Sequence, residues 1–274
     1  WPSMTALVDA LEAAPRRRRR IALAIGTAAA VLATAVLVVL VTRRDPAEDA
    51  RAMCSTAGDR IAAGWPPTER GALVERTRAN GGPGAATAGG YVGDRLDAYA
   101  RRLASARVAA CAATHVDGVQ SPEQLDKRMY CLERRGNDFD ATRALFDTIV
   151  AKNLAGLVRA VDALPELESC ADPVALRDAR PLPVEPGARA EVLAVDAKLA
   201  AVRASFSAGR FKASLDGGRA LLGAPVVAST PAIASEVHLR IGAALEELYK
   251  PAEAEPELRR AIELSEVARD DVLR

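Results

Sequence analysis

The sequence predicts an all-α chain in three parts: a single transmembrane helix, a helical bundle with disulfides, and helix-pair repeats. Three observations predict it. Half of the residues are hydrophobic and only 4% are aromatic, with abundant Ala, Leu, Arg and Glu, a composition that favours helices over sandwiches or barrels. Residues 21–42 carry no charge. Helix-like stretches in the last third recur with a period of 40 residues, as stacked helix pairs do.

Charge narrows the function classes. Lys plus Arg is 37 and Asp plus Glu is 36, a net charge of +1 over 274 residues. That balance excludes a strongly basic nucleic-acid binder and an acidic disordered tail. Residues 1–20 carry +3 and the chain after residue 42 carries −2, so no nucleic-acid partner is expected. The length suits roughly two soluble domains. Trp1 stands first rather than Met, and the chain is expected to be part of something longer.

Residues 1–15 place Pro2 in a first turn and Met4, Leu7, Val8 and Leu11 on one helical face. They read as the last helix of a cytoplasmic domain. Residues 16–20, Arg16 to Arg20, form a basic juxtamembrane run, and residues 21–42 follow as an uninterrupted apolar stretch. As a helix rising roughly 1.5 Å per residue it covers about 33 Å, enough to cross a bilayer core of roughly 30 Å. Only Arg43 and Arg44 follow it, then Asp45, Glu48 and Asp49. The positive-inside rule puts the N-terminus in the cytoplasm and the C-terminal region outside it. The expected location is an inner membrane crossed once, with the lipid bilayer as a partner and the arginines on anionic headgroups. A signal peptide would be shorter and end in a small-residue cleavage site, unlike Val39-Leu40-Val41-Thr42-Arg43.

The cysteines, Cys54, Cys111, Cys131 and Cys170, all follow the apolar stretch. An even number in an oxidising compartment points to disulfides, and four allow three pairings. Residues equidistant from a hairpin turn meet. Positions 54 and 111 have their midpoint at 82.5, inside Gly81-Gly82-Pro83-Gly84, and positions 131 and 170 have theirs at 150.5, just before Lys152-Asn153. The arithmetic therefore favours Cys54–Cys111 and Cys131–Cys170. The alternative is a metal: Cys111 and His115 form a C-x3-H, but no second His or paired Cys completes a tetrahedral set at the usual spacing.

Residues 50–178 read as a Cys-containing helical domain. Trp65-Pro66-Pro67-Thr68 is a break and Asn80 to Gly90 a flexible loop. Leu96 to Ala113 is helical. Asp117-Gly118 is a loop, and Ser121 caps a helix with Pro122 in its first turn. That helix is expected to carry on through Leu145 and Ile149, and another to run from about Asn153 to Leu164. Residues 178–190 are rich in Pro and charge, a linker signal. Residues 190–274 hold the repeats. The first unit turns at Ala208-Gly209-Arg210-Phe211, Ser214 aligns with Ala254 and Leu221 with Ala261, and Gly223 to Ser235 is an insertion.

These units resemble tetratricopeptide repeats. Gly209 and Phe211 match the glycine-x-aromatic turn, Ile241-Gly242 the Leu-Gly of the first helix, and Ala254 and Ala261 the small packing positions. They depart from the pattern at Ser214, at Pro251 in place of the aromatic, and at Tyr249 in place of the turn glycine. The unit is also longer than the usual residue count of about 34. The resemblance implies a surface that binds a protein or peptide ligand.

Trp1-Pro2-Ser3-Met4-Thr5-Ala6-Leu7 resembles the close of a bacterial Hanks-type serine/threonine protein kinase domain, where R-W-P-S-M-x-x-L begins the last helix. The order of arginine run, membrane span and repeats is similar to that of myxobacterial-type transmembrane receptor-like kinases. So is the segment Cys111-Ala-Ala-Thr-His115, Gln120-Ser121, Leu125-Asp126, Arg128-Met129 and Cys131-Leu132. The resemblance implies the anchor and extracytoplasmic sensor of such a kinase. Mg-ATP would belong to the kinase domain, and self-association into a homodimer would bring kinase domains together.

No catalytic, cofactor or metal residue is expected in the chain: it has no H-R-D, no D-F-G, and no G-K-[ST] after the Gly81 to Gly90 stretch. His115 and His238 are the only histidines and read as structural or surface residues. Glu246-Glu247 and Arg259-Arg260 read as solvated helix faces, Trp65 as a packing anchor, and Lys198, Arg203 and Arg240 as candidates for a concave repeat surface. The competing class is a non-enzymatic, membrane-anchored repeat scaffold of the cell envelope.

Overall fold

A computed structural model describes residues 3–5, 8, 23, 25–37, 46–176 and 182–268. Among them there are helices and turns and no strand, so the chain is all-α. The arginines at 16–20, the flanking Arg43 and Arg44, and most of residues 1–22 lie outside the described residues. Residues 1–49 and 50–274 separate into two units.

In the first unit, residues 25–37 form helix α1, and every one of them is exposed. Its large apolar side chains, Ile25, Val31, Leu32, Val36 and Leu37, point outward on all sides. Among the described residues no helix is long and apolar enough to cross a membrane. The described part of the expected span 21–42 is shorter than a bilayer core, and its ends lie outside the described residues.

Helix α2 (Pro46–Ser55) enters the second unit at Ala50, and α3 (Asp59–Gly64) and α4 (Pro67–Asn80) follow. Pro66 and Pro67 separate α3 from α4, with Pro67 in the first turn where its missing N–H costs nothing. Helix α5 (Ala85–His115) folds back along α4. The glycine-rich pattern predicts a loop over residues 80–90, and the structure places residues 85–90 in α5. Gly89 and Gly93 are there because α4 passes close by. A Cβ on Gly89 would meet the Val74 carbonyl oxygen at 3.2 Å, and one on Gly93 the Val74 side chain at 3.0 Å.

Helix α6 (Pro122–Ala144) begins as expected, Ser121 Oγ accepting from Gln124 N at 3.1 Å. It ends at Ala144, and Leu145–Thr148 tightens into a 3-10 turn that buries Leu145 and Phe146. Helix α7 (Leu154–Asp162) follows. The structure joins Cys54 to Cys111 and Cys131 to Cys170, the two pairs that the hairpin arithmetic favours. Around them lies an apolar cluster of Leu73, Val92, Leu96, Leu103, Leu132, Phe139, Phe146 and Leu157. Phe139 stacks on Tyr99 at 6.0 Å and meets the Trp65 ring edge-on at 5.6 Å. Trp65 is the anchor the sequence predicts, its Nε1 donating to Asp97 at 2.7 Å.

Helix α8 (Pro186–Ser207) starts inside the expected linker, where the Glu185 carboxylate caps the N–H groups of Gly187 and Ala188. Residues 178–181 of that linker lie outside the described residues. Helices α9 (Phe211–Leu221), α10 (Pro225–Ser229), α11 (Pro231–Glu247) and α12 (Pro251–Ala268) complete the unit. The insertion at 223–235 thus contains a short helix and the start of α11. Helix α8 packs on α9, α9 on α11, and α11 on α12. Their shared core holds Val192, Leu199, Leu215, Val237, Ile241 and Leu245. The two clusters interlock: Tyr130 of α6 belongs to the second, and Ala204 and Ala208 at the end of α8 belong to the first. Residues 50–274 are accordingly one compact unit.

Candidate functional site

Helices α6 and α8 lie side by side and run the same way. Tyr130 donates to Asp196, and eight residues further along α6 Asp138 meets Arg203, seven further along α8. Helix α11 joins them through Glu236. The positions line up with the 40-residue period, because Asp196 of α8 and Glu236 of α11 are equivalent. Each receives a guanidinium from an earlier helix of the series.

The result is an ion network across three helices. Glu236 accepts from Arg203 at 2.5 Å through Oε1 and from Arg134 at 2.6 Å through Oε2. Asp138 Oδ1 accepts from Arg203 Nε at 2.8 Å and Nη2 at 2.6 Å, and its Oδ2 lies 3.4 Å from Arg135. Asp196 Oδ2 takes the Tyr130 hydroxyl, and Oδ1 lies 3.8 Å from Arg134. Asp138, Asp196 and Glu236 are all buried. Burial pushes the Glu236 carboxyl up, but the Arg134, Arg203 and Arg240 guanidiniums outweigh it and hold the group down at about 2. Glu236 in turn, against the cost of burial, holds the Arg134 guanidinium above its ordinary value.

The bends between paired helices repeat. Ala208, Gly209 and Arg210 donate backbone N–H groups to Ala204, Phe206 and Ser205, and Leu248, Tyr249 and Lys250 donate to Ala244, Glu246 and Leu245. Both sets are shifted by 40. Inside each pair the small residues face the partner helix. Ser214 Oγ donates to the Val202 carbonyl at 3.1 Å, and the equivalent pair is Ala254 and Gly242. A Cβ on Gly242 would strike Leu258 at 2.6 Å.

The residues singled out in the sequence divide sharply. Arg203 and Arg240 belong to the network, whereas Lys198 is exposed on α8. His115 ends α5 exposed, and His238 Nδ1 lies 2.6 Å from Glu257 between α11 and α12. Glu246 and Glu247 are exposed, and Arg259 and Arg260 pair locally with Glu255 and Glu263 along a shallow depression of α12. Cys111 is bound to Cys54, which removes it from the C-x3-H alternative. Among the described residues no three His, Cys, Asp or Glu come together as a metal site. Sequence reading missed Tyr130, Arg134, Asp138, Asp196 and Glu236. The acidic pair 196 and 236, one period apart, was the available signal. No family model, curated protein or solved structure matches the chain.

Proposed function

We propose that the chain is the membrane anchor and extracytoplasmic, protein-binding sensor of a receptor-like serine/threonine protein kinase. One observation carries the reading: α1 exposes apolar side chains all round, and the unit after it has both pairs of cysteines oxidised. Apolar surface of that kind is unfavourable in water by about 25 cal/mol per Å² and favourable in lipid. Persistent disulfides belong to an oxidising compartment. The run Arg16 to Arg20 keeps the preceding residues in the cytoplasm. The kinase assignment rests on the likeness of residues 1–7 to the close of a kinase domain. Phosphoryl transfer from Mg-ATP is the work of that domain and uses no residue of this chain. The paired helices α8–α9 and α11–α12, tetratricopeptide-like in their small crossing residues, present the ligand surface. Ligand binding there draws sensors together outside and kinase domains together inside.

The test is fractionation combined with thiol labelling of the protein in its own cells. The protein is expected in the membrane fraction, with its four cysteines inert to maleimide until reductant is added. Recovery in the soluble fraction, or labelling of all four thiols without reductant, rules the reading out.

A further inference from the structure

Among the described residues the network is one carboxylate short. All six carboxylate oxygens of Asp138, Asp196 and Glu236 already face a donor: Arg203, Arg134, Arg135 or the Tyr130 hydroxyl. Four guanidiniums, those of Arg134, Arg135, Arg203 and Arg240, therefore share three carboxylates. The surplus falls on Arg240, one turn beyond Glu236 on α11. Among the described residues it has no hydrogen bond and no ion pair. Its Nε is closed off from solvent without a partner. The residue as a whole is half-buried, so the end of the side chain stays within reach from outside. Burial holds the guanidinium below its ordinary value even with Glu236 nearby. A cation dehydrated to this degree without an ion pair of its own is unfavourable, and a carboxylate placed on it relieves that cost.

The network also indicates where the carboxylate comes from. Arg134 on α6 is met by side chains of α8 and α11, and Arg203 on α8 by side chains of α6 and α11. Both of these guanidiniums are answered by acidic side chains of helices beside their own, whereas Arg135 pairs with Asp138 one turn along α6. Arg240 lies on the third helix, α11. We propose that Arg240 is a binding point for an acidic side chain of a peptide partner that lies along α11. This names the ligand class for the surface described under the proposed function, and it rests on that reading.

The test uses the whole chain in detergent micelles and three probes: an acetylated, amidated Ala/Glu peptide, its Ala/Gln counterpart, and an Ala peptide with a free C-terminal carboxylate. The Glu peptide is expected to shift the Arg240 Nε–H resonance, and Arg240→Met to weaken its binding about tenfold, the loss of one charge-assisted contact. Arg259→Met, on the outer face of α12, is expected to leave binding unchanged. Without peptide, Arg240→Met is expected to raise the unfolding midpoint, because it removes a half-buried cation whose dehydration outweighs the attraction of Glu236 and Asp138. Equal binding by Arg240→Met and wild type overturns the proposal. So do a lowered midpoint in the peptide-free variant, tighter binding of the Gln or free-carboxylate peptide, or an equal loss in Arg259→Met. These readouts come from purified protein, so their failure is separate from a failure of membrane location or cysteine oxidation.

Discussion

Gly209 and Tyr249, forty residues apart, occupy the same left-handed backbone position, with φ of 73° and 56°. Each sits where the first helix of a pair bends into the second, and the N–H groups of Arg210 and Lys250 close the bend on Ser205 and Leu245. Glycine takes this position without steric penalty and tyrosine does not. Tyr249 is 94% exposed, so it gains little packing in exchange. Tyr249→Gly is expected to stabilise the fold by about 1 kcal/mol, and Gly209→Ala to destabilise it by about 1 kcal/mol. Denaturant midpoints measured on both variants check the pair, and shifts of the same sign would show that the two bends are not equivalent.

Glu236 ties α11 to both α6 and α8. Glu236→Ala leaves Arg134, Arg203 and Arg240 facing one another in a buried place and is expected to cost about 3–5 kcal/mol. The same carboxyl makes stability depend on pH. Its folded pKa of about 2 lies below the ordinary 4.5, so its contribution is fully present above pH 4.5 and is lost as pH falls towards 2. Acid titration of unfolding free energy should therefore be shallower in Glu236→Gln than in wild type. Parallel curves would remove Glu236 from the account.

The disulfides close loops of 57 and 39 residues. Loop entropy grows only slowly with length, so in the chain-entropy account each contributes about 4 kcal/mol, with little between them. Their effects should differ in place. Cys131 lies on α6 next to Tyr130, so Cys131→Ser with Cys170→Ser is expected to loosen the ion network. Cys54→Ser with Cys111→Ser should loosen α2 against α5 and leave the network protected. Amide exchange in α8 and α11 separates the two cases.

Gly156 of α7 sits against the end of α8, and a Cβ there would overlap the Ala208 carbonyl oxygen. Backbone cannot move aside as a flexible side chain can. Gly156→Ala is expected to destabilise by about 1–3 kcal/mol despite the better helix propensity of Ala. Gly90→Ala on α5 has open space around it and is expected to stabilise by about 0.5–1 kcal/mol. Thermal unfolding of the two variants should move in opposite directions.

What the sequence determines by itself is local. The helical class follows from composition, the start of α6 from Ser121 and Pro122, and the bend at 208–210 from Gly209. The disulfide pairs are those that the hairpin arithmetic along the chain favours. Tertiary structure decided the rest. Gly89 and Gly90 read as loop residues because glycine disfavours helices when nothing else acts. Contact of Gly89 and Gly93 with α4 overrides that preference. Helix α6 stops at Ala144 rather than running on because a 3-10 turn buries Leu145 and Phe146. Apart from the 40-residue spacing of Asp196 and Glu236, the network leaves no mark along the chain: Tyr130, Arg134 and Asp138 look like ordinary solvated helix residues at i and i+4 spacings, and Arg203 reads only as a surface candidate. Charge pairing over 65 or 102 positions depends on which helices become neighbours. Only the burial of apolar faces in three dimensions decides that.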